Sequence, residues 1–399
     1  MKSSVRLQLM LMMFLQFFVW GAWYGQMSVY LGTKLNATGD QIGNAYLAFS
    51  IAMIISPFMG AIADRYFAAQ KVLGVLNLIG AGLLFVITQI TDAGSFFWVI
   101  LAYCLCFAPC IALTSSIAMR QMNAPEKDFP IIRVMGTVAW IVVTNLVGFW
   151  NVGDQVAIFQ ISMIASVVLG LLAFTLPNTP PKATGPVSIG QIIGKDAFVL
   201  FKDRSFLIFF IASVAICIPL SFYYAFANPS LRASGMQFVE NKMSLGQVSE
   251  VVFMLLIPLA FSRLGVKWML AVGLIAWIIR FLFFGYGDAA TSEWMLYGAI
   301  LLHGVCFDFF FVTGQIYTDT KAGPSIKSQA QGLISLATYG LGMGIGSWLG
   351  GQVLAANTNA EKVTNWLDVW VVPAGIAVGV LVLFLVFFNE KSEIQPAKI

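Results

Sequence analysis

Long apolar runs recur from one end of this 399-residue chain to the other, and this feature limits the possible folds most. Hydrophobic residues make up 59% of the chain and charged residues only 10%, against about 25% charged in soluble domains. A membrane-spanning helix needs about 20 apolar residues. We recognise twelve such runs, at 7–31, 40–62, 72–90, 96–119, 130–150, 156–176, 205–228, 243–262, 267–287, 293–317, 327–351 and 367–388. The pattern predicts an all-α membrane protein with twelve transmembrane helices.

The distribution of basic residues predicts the orientation of these helices. Most of the 22 Lys and Arg residues fall in the two termini and in alternate loops. The other side carries only Lys34, Arg232, Lys242 and Lys362. Cytoplasmic loops are the ones enriched in Lys and Arg, so we expect both termini in the cytoplasm. The net charge of +4 then reflects topology, and no nucleic-acid partner is expected.

A Pro-rich stretch divides the chain into two sets of six spans. This stretch, "LPNTPPKATGPVSIGQIIGKD" at 176–196, is the longest loop. A shift of about 200 residues places "LAYCLCFAPCIALTSSIAM" (101–119) over "LLHGVCFDFFFVTGQIYTD" (301–319), and Cys106 and Phe107 then meet Cys306 and Phe307. We therefore predict an N-terminal half at 1–176, a cytoplasmic loop at 177–204 and a C-terminal half at 205–399, related as parallel repeats.

Two parallel six-helix halves around a midplane site form the architecture of major facilitator transporters. The segment "GAIADRYFAAQK" (60–71) resembles the short signature of that superfamily. Asp64 within it is expected to cap a neighbouring helix and to form a cytoplasmic salt bridge. Because no phosphate loop, metal-ligand spacing or nucleophile triad is recognisable in the sequence, we expect a transporter and not an enzyme.

Ionisable residues at membrane depth are costly and are functional candidates by default. In "SLGQVSE" (244–250), Gln247 and Glu250 are three residues apart and share one helix face. Arg280 of the next span lies at a similar depth. Two interpretations remain open and are compatible: a structural Glu250–Arg280 ion pair, or a Glu250 that binds substrate or a proton and is tuned by Arg280.

The tenth span places a histidine and an aspartate in an apolar run, "HGVCFDFFFVTGQ" (303–315). Asp308 is the best candidate for the proton carrier, with Glu250 second, because burial makes a carboxyl easier to protonate. The alternative is a protonated Asp308 that donates to a backbone carbonyl. His303 and Phe307 share a face, and His303 is either a site residue or a packed neutral ring.

Two further groups of polar and aromatic residues are site candidates. In "DFPIIRVMGTVAW", Arg133, Thr137 and Trp140 form one face of guanidinium, hydroxyl and indole, although Arg133 also lies near enough to the cytoplasm to extend to the surface. In "PLSFYYAFANP", Ser221 and Tyr224 follow the helix-kinking Pro219. The glycines of "YGLGMGIGSWLGG" predict a close contact between helices.

Four motifs together resemble the nucleoside:proton symporter family of the major facilitator superfamily: "DFPIIRVMGTVAW", "LGQVSEVVFMLLIP", "AWIIRFLFFGYGD" and "LLHGVCFDFFFVTG". The resemblance, and not composition or periodicity, implies nucleosides as substrates. It implies that the substrate site includes Arg133, Thr137, Trp140, Gln247, Glu250, Phe307 and Asp308. The chain departs from some members on span seven, where Ser221 and Tyr224 replace amides, and at His303, which replaces a tyrosine.

The sequence therefore predicts a proton-coupled nucleoside importer of a bacterial inner membrane that works by alternating access. It needs no cofactor, since the proton is the coupling ion, and its partners are nucleoside, proton and lipid, with a monomer as the expected state. Two alternatives remain: a proton symporter for another polar solute such as a sugar, and a membrane sensor that binds nucleosides without moving them.

Overall fold

The computed structural model describes residues 3–122, 125–181, 190 and 195–389, except for the side chains of 60–65, 125–127, 324–325 and 328. The described part of the chain is helical and contains no β-strand, only an isolated bridge between Thr358 and Thr364. The expected all-α class is therefore confirmed. Asp64 falls among the side chains outside the description.

Thirteen α-helices, labelled α1 to α13, form the framework of the described part. Their bounds are Ser3–Trp23, Met27–Lys34, Gly39–Tyr66, Ala69–Ile87, Ala93–Arg120, Pro125–Phe149, Ala157–Ala173, Arg204–Ala233, Val239–Tyr286, Glu293–Phe307, Thr313–Ser335, Met343–Ala356 and Trp366–Phe387. A 3₁₀-helix covers Lys195–Lys202, and wider π-helical turns cover Asp308–Val312 and Leu336–Gly342.

Nine helical stretches of the described chain are long and apolar enough to cross a membrane, and α7 is a shorter apolar helix. The 48-residue α9 is interrupted at Gly265, where φ is 66°. The helix α11 is interrupted in the same way at Gly323, also with φ of 66°. Glycine is the residue that adopts positive φ without steric cost. Both breaks fall where the sequence turns hydrophilic between predicted spans.

The first predicted span differs from the structure in being two helices. The chain turns at Tyr24–Gln26, between α1 and α2. The Tyr46 hydroxyl donates to the Tyr24 carbonyl at 2.8 Å. A side chain from α3 thus satisfies a backbone group at the turn, which a continuous apolar run does not reveal.

The start of α8 is fixed by Asp203. Its carboxylate accepts from the backbone N–H groups of Ser205 at 2.8 Å and Phe206 at 3.2 Å, and it pairs with Lys321 at 2.7 Å. Partial burial raises the pKa of Asp203, whereas the hydrogen bonds from Lys321, Phe206 and Ser205 lower it. The hydrogen bonds together have the larger effect, so the pKa lies below its ordinary value. The cap is therefore ionised at neutral pH, and its negative charge is favourable at the N-terminus of a helix.

The chain divides into two compact units, Met1–Ser188 and Ile189–Ile399. Large apolar side chains are exposed on the outer surfaces of the helices, among them Trp98, Leu255 and Val386. A soluble protein rarely exposes extensive apolar surface. These surfaces therefore suit a lipid environment.

The glycines of the eleventh predicted span pack against α8. A Cβ added at Gly342 would overlap Val214 O, and one added at Gly346 would overlap Ser221 Oγ and Ile218 O. Small residues allow helix backbones to approach at this distance in membranes. The close helix contact predicted from the glycine spacing is present.

We expect Gly346→Ala to lower the melting temperature of the purified protein. The added methyl group overlaps α8, and overpacking of this kind costs about 1–3 kcal/mol. Gly379→Ala is the matched control, because no atom lies within 4 Å of its added Cβ. A helix gains about 1 kcal/mol when Ala replaces Gly, so the control should melt at the same or a higher temperature. Equal melting temperatures for the two variants would contradict the tight α8 contact.

Candidate functional site

Two glycines bring α9 and α10 close together in the C-terminal unit. A Cβ added at Gly246 would lie 3.3 Å from His303 Cβ, and one added at Gly304 would lie 2.5 Å from Ser249 O. The Ser249 hydroxyl donates to Leu301 O at 2.5 Å across the same contact. The close approach places Glu250, one turn after Gly246, beside the ring of His303.

His303 lies between a buried arginine and a carboxylate. Arg280 Nη1 lies 3.0 Å from His303 Nδ1, while His303 Nε2 lies 3.7 Å from Glu250 Oε2. Arg280 is fully buried, and its Nε donates to Ala299 O at 2.7 Å. His303 thus lies between Arg280 and Glu250 and contacts both side chains.

Aromatic rings surround this chain of polar groups. The guanidinium carbon of Arg280 lies 3.7 Å from the centre of the Tyr223 ring. The His303 ring centre lies 5.3 Å from that of Tyr223 and 5.6 Å from that of Phe307. Cation–π attraction is strongest where the cation is desolvated, so the Tyr223 ring stabilises the buried guanidinium of Arg280.

Asp308 begins the π-helical turn Asp308–Val312 and is fully buried. Neither of its carboxylate oxygens has a hydrogen-bond partner among the described residues. An ionised carboxylate without a partner is expensive to bury, and π-helical turns are frequent at functional sites. The group is thus suited to holding a proton in this conformation, and the alternative in which it donates to a backbone carbonyl is not observed.

The other candidates of the C-terminal unit are distributed over α8 and α9. Gln247 is half-buried on α9, and Tyr224 is half-buried next to Tyr223, with ring centres 5.3 Å apart. The Ser221 hydroxyl donates to Ile218 O at 2.8 Å and lies at the contact with Gly346. Ser221 therefore belongs to the helix contact and is not adjacent to the polar chain.

The N-terminal unit holds the third group of candidates on α6. Arg133 is exposed, with its guanidinium carbon 4.4 Å from the centre of the Phe17 ring. Trp140 is half-buried and meets Trp20 edge-on, with ring centres 5.5 Å apart. Thr137 is half-buried one turn before Trp140. The predicted face of guanidinium, hydroxyl and indole is present and continues into aromatic residues of α1.

The N-terminal unit also contains an uncharged counterpart of the C-terminal cluster. The Tyr103 ring lies 5.7 Å from Phe107 and 5.6 Å from Trp23, and a Cβ on Gly80 would contact Tyr103 at 3.4 Å. Adding 200 to each number gives His303, Phe307, Tyr223 and Arg280. The same positions pack together in both units, but the charges are present in one only.

Tyr223 and the partner of Asn228 are the two features that sequence reasoning missed. Ser221 and Tyr224 are the candidates that the sequence predicts on α8, yet Tyr223 is the residue that contacts Arg280. Asn228 donates to the buried Glu240 at 3.0 Å. The 200-residue offset, which pairs Tyr223 with Trp23, was the available signal.

We expect Arg280→Ala to reduce the yield of folded protein more than Glu250→Gln does. Without the guanidinium, Ala299 O and His303 Nδ1 lose their donor and the Tyr223 ring loses its contact. Breaking a buried charged network costs about 3–5 kcal/mol. Glu250 is 16% exposed, and glutamine keeps its shape. The monodisperse peak in size-exclusion chromatography measures the yield, and normal yields for both variants would contradict a structural role for Arg280.

Comparison with known proteins identifies the family of the chain. A family model described as Nucleoside H+ symporter matches residues 1–393. The chain is 40% identical to the putative nucleoside transporter YegT of Escherichia coli (strain K12), over 100% of this chain and 97% of YegT. It is 34% identical to the xanthosine permease of the same organism, over 99% and 98% of the two chains.

A solved structure agrees with these matches. The crystal structure of nucleoside transporter NupG superposes with a TM-score of 0.88 at 31% identity, covering 97% of this chain and 100% of NupG. The resemblance carried by the four sequence motifs is thereby confirmed, as is the expectation of a multi-pass membrane transporter and not an enzyme. The chain belongs to the nucleoside H+ symporter family.

Proposed function

We propose that this protein imports nucleosides together with protons across a bacterial inner membrane by alternating access. The observation that carries the proposal is a pair of carboxylic acids within apolar helices of a chain of this family. Glu250 lies beside His303, and Asp308 has no hydrogen-bond partner among the described residues. A symporter needs one group that takes up the proton and another that senses the substrate. These two acids differ in the required way, because one is fully buried and the other is partly exposed.

The site residues are assigned roles by their chemistry. Asp308 carries the proton, and Glu250 and Gln247 bind ribose hydroxyls, with Glu250 the second proton-coupling group. A planar base stacks on Trp140 or Phe307, since aromatic faces bind bases through stacking. The full set of proposed substrate contacts is Arg133, Thr137, Trp140, Ser221, Tyr224, Gln247, Glu250, His303 and Phe307.

The proposal includes twelve transmembrane helices in two parallel six-helix repeats, 1–176 and 205–399, joined by a cytoplasmic loop at 177–204. The breaks at Gly265 and Gly323 support this count, because each separates two helices. The matching clusters at Tyr103 and His303 support the repeat. Both termini lie in the cytoplasm, the protein works as a monomer, and no cofactor takes part besides the proton.

One proton supplies enough energy for useful accumulation. Moving one charge through about 100 mV is worth about 2.3 kcal/mol, which corresponds to roughly 50-fold accumulation. A pH gradient adds to this value. Uptake should therefore collapse when the proton gradient is removed.

The test is uptake of labelled uridine, adenosine and xanthosine by cells that lack their own nucleoside transporters, with and without a protonophore. We expect uptake of at least one nucleoside and its collapse with the protonophore. Unlabelled sugars should not compete, whereas unlabelled nucleosides should.

Two outcomes would overturn the proposal. If no nucleoside is taken up by cells in which the protein is confirmed in the membrane, the result would favour a sugar or another polar solute as the substrate. Binding of nucleoside without proton uptake or accumulation would favour the sensor, because a receptor needs no coupling ion.

A further inference from the structure

The contact between Arg280 and His303 determines where the histidine carries its proton. A guanidinium group has five N–H donors and no acceptor. Arg280 Nη1 lies 3.0 Å from His303 Nδ1, within hydrogen-bond distance. The Nδ1 atom must therefore accept with its lone pair. A histidine whose Nδ1 is unprotonated is neutral and carries its proton on Nε2.

The opposite side of the ring faces Glu250. His303 Nε2 lies 3.7 Å from Glu250 Oε2, so the Nε2 proton is directed toward the carboxylate. This distance exceeds a hydrogen bond, and the contact is electrostatic in the conformation described. The ring is 2% exposed and is flanked by Tyr223 and Phe307. Burial between these two rings restricts its rotation.

Protonation of His303 would disrupt this arrangement. An imidazolium has N–H groups on both nitrogens, so Nδ1–H would face the Nη1–H of Arg280, with two positive charges in contact. The charged and titratable groups around the ring are Arg280 and Glu250 on α9, Tyr223 on α8 and Cys306 on α10. Of these, only Glu250 would favour a positive ring, and Arg280 is closer.

We propose that Arg280 is a positioning residue that holds His303 as its neutral Nε2–H tautomer. His303 then presents a permanent N–H donor toward Glu250 and takes no proton during the transport cycle. The statement about the transport cycle rests on the proposed proton-coupled function. The ring is aligned by Arg280 and Tyr223, and the ring in turn orients Glu250. Asp308 and Glu250 remain the groups that can exchange protons.

A single histidine makes the proposal directly measurable. His303 is the only histidine in the chain, so ¹⁵N-histidine labelling of the full-length protein gives one pair of ring signals, provided that the affinity tag contains no histidine. We expect one protonated Nε2 and one unprotonated Nδ1, unchanged between about pH 5 and about pH 8, where a free histidine titrates. A protonated Nδ1, or a shift to the imidazolium pattern in this range, would overturn the proposal.

Two variants separate the effect of Arg280 from general packing. Arg280→Met removes every donor to Nδ1, and we expect the ring signals to show a mixture of the Nδ1–H and Nε2–H tautomers in place of Nε2–H alone. Cys306→Ala is the matched control, since Cys306 Sγ also contacts Arg280 Nη1, at 3.5 Å, but does not touch the ring nitrogens; its spectrum should equal that of the wild type. A wild-type spectrum in folded Arg280→Met would refute the role of Arg280. If that variant does not fold, the wild-type spectrum alone tests whether His303 is the neutral Nε2–H tautomer.

Transport supplies an independent readout. His303→Phe keeps a ring but removes the N–H group that faces Glu250, and we expect the apparent nucleoside affinity to fall about fivefold, as for loss of an electrostatic contact without a hydrogen bond. The pH dependence of uptake should keep its wild-type shape, because His303 carries no proton. A shift of that profile would contradict the proposal. Absence of any nucleoside uptake by the wild type would refute the proposed function but leave the histidine spectrum valid.

Discussion

Asp308→Asn should abolish concentrative uptake while leaving nucleoside exchange measurable. Asparagine keeps the shape of the side chain but cannot take up or release a proton. Accumulation ratios of roughly 50-fold, expected for one proton at about 100 mV, should fall to one. Exchange across the membrane does not need net proton movement, so counterflow of labelled against unlabelled nucleoside in proteoliposomes should persist.

The control for this variant removes the same charge elsewhere. Asp368→Asn changes an exposed carboxylate in the first turn of α13, where Asp368 accepts from Asn365. It should accumulate nucleoside like the wild type. Wild-type accumulation by Asp308→Asn would remove Asp308 from the coupling mechanism and leave Glu250 as the remaining carboxylate of the cluster.

Glu250→Gln should weaken nucleoside binding by about 10- to 100-fold. Hydrogen bonds to a charged group contribute about 1.5–3 kcal/mol, and the amide retains one acceptor but loses the charge. The partly exposed position of Glu250 beside His303 is the reason to expect the effect on affinity and not on folding. Dissociation constants measured by isothermal titration calorimetry on purified protein would show the change.

Glu293→Gln is the matched control for this prediction. Glu293 pairs with Lys242 at 3.1 Å, and its side chain is 45% exposed. Exposed ion pairs contribute about 0–1 kcal/mol, so this variant should bind nucleoside with wild-type affinity. If Glu250→Gln also binds nucleoside with unchanged affinity, Glu250 has a structural role beside His303 and does not bind the substrate.

The helical framework and the charged candidates were predictable because both depend on local sequence. Apolar runs of membrane length are visible in any window, and a charge such as Asp308 inside one is conspicuous. The breaks at Gly265 and Gly323 fall in hydrophilic interruptions for the same reason. The turn at Tyr24–Gln26 was not predictable, since it depends on a hydroxyl from α3.

The contacts within the site depend on how neighbouring helices are rotated and aligned. Depth alone placed Glu250 and Arg280 at the same level and suggested a direct pair. The insertion of His303 between them requires the register of α10 against α9, which the glycine contacts at Gly246 and Gly304 fix. Successive residues on a helix differ by about 100° in direction, so the rotation of α8 about its axis decides that the Tyr223 ring faces Arg280.

The uncharged cluster around Tyr103 has a consequence for biogenesis. The half that leaves the ribosome first contains this cluster, whose members carry no charge, so the cluster can pack before the charged half is inserted. In the second half, the order of synthesis is Tyr223, Glu250, Arg280 and then His303. Arg280 thus enters the bilayer when the Tyr223 ring and the Glu250 carboxylate are already present, and the insertion of α10 adds its contact with His303.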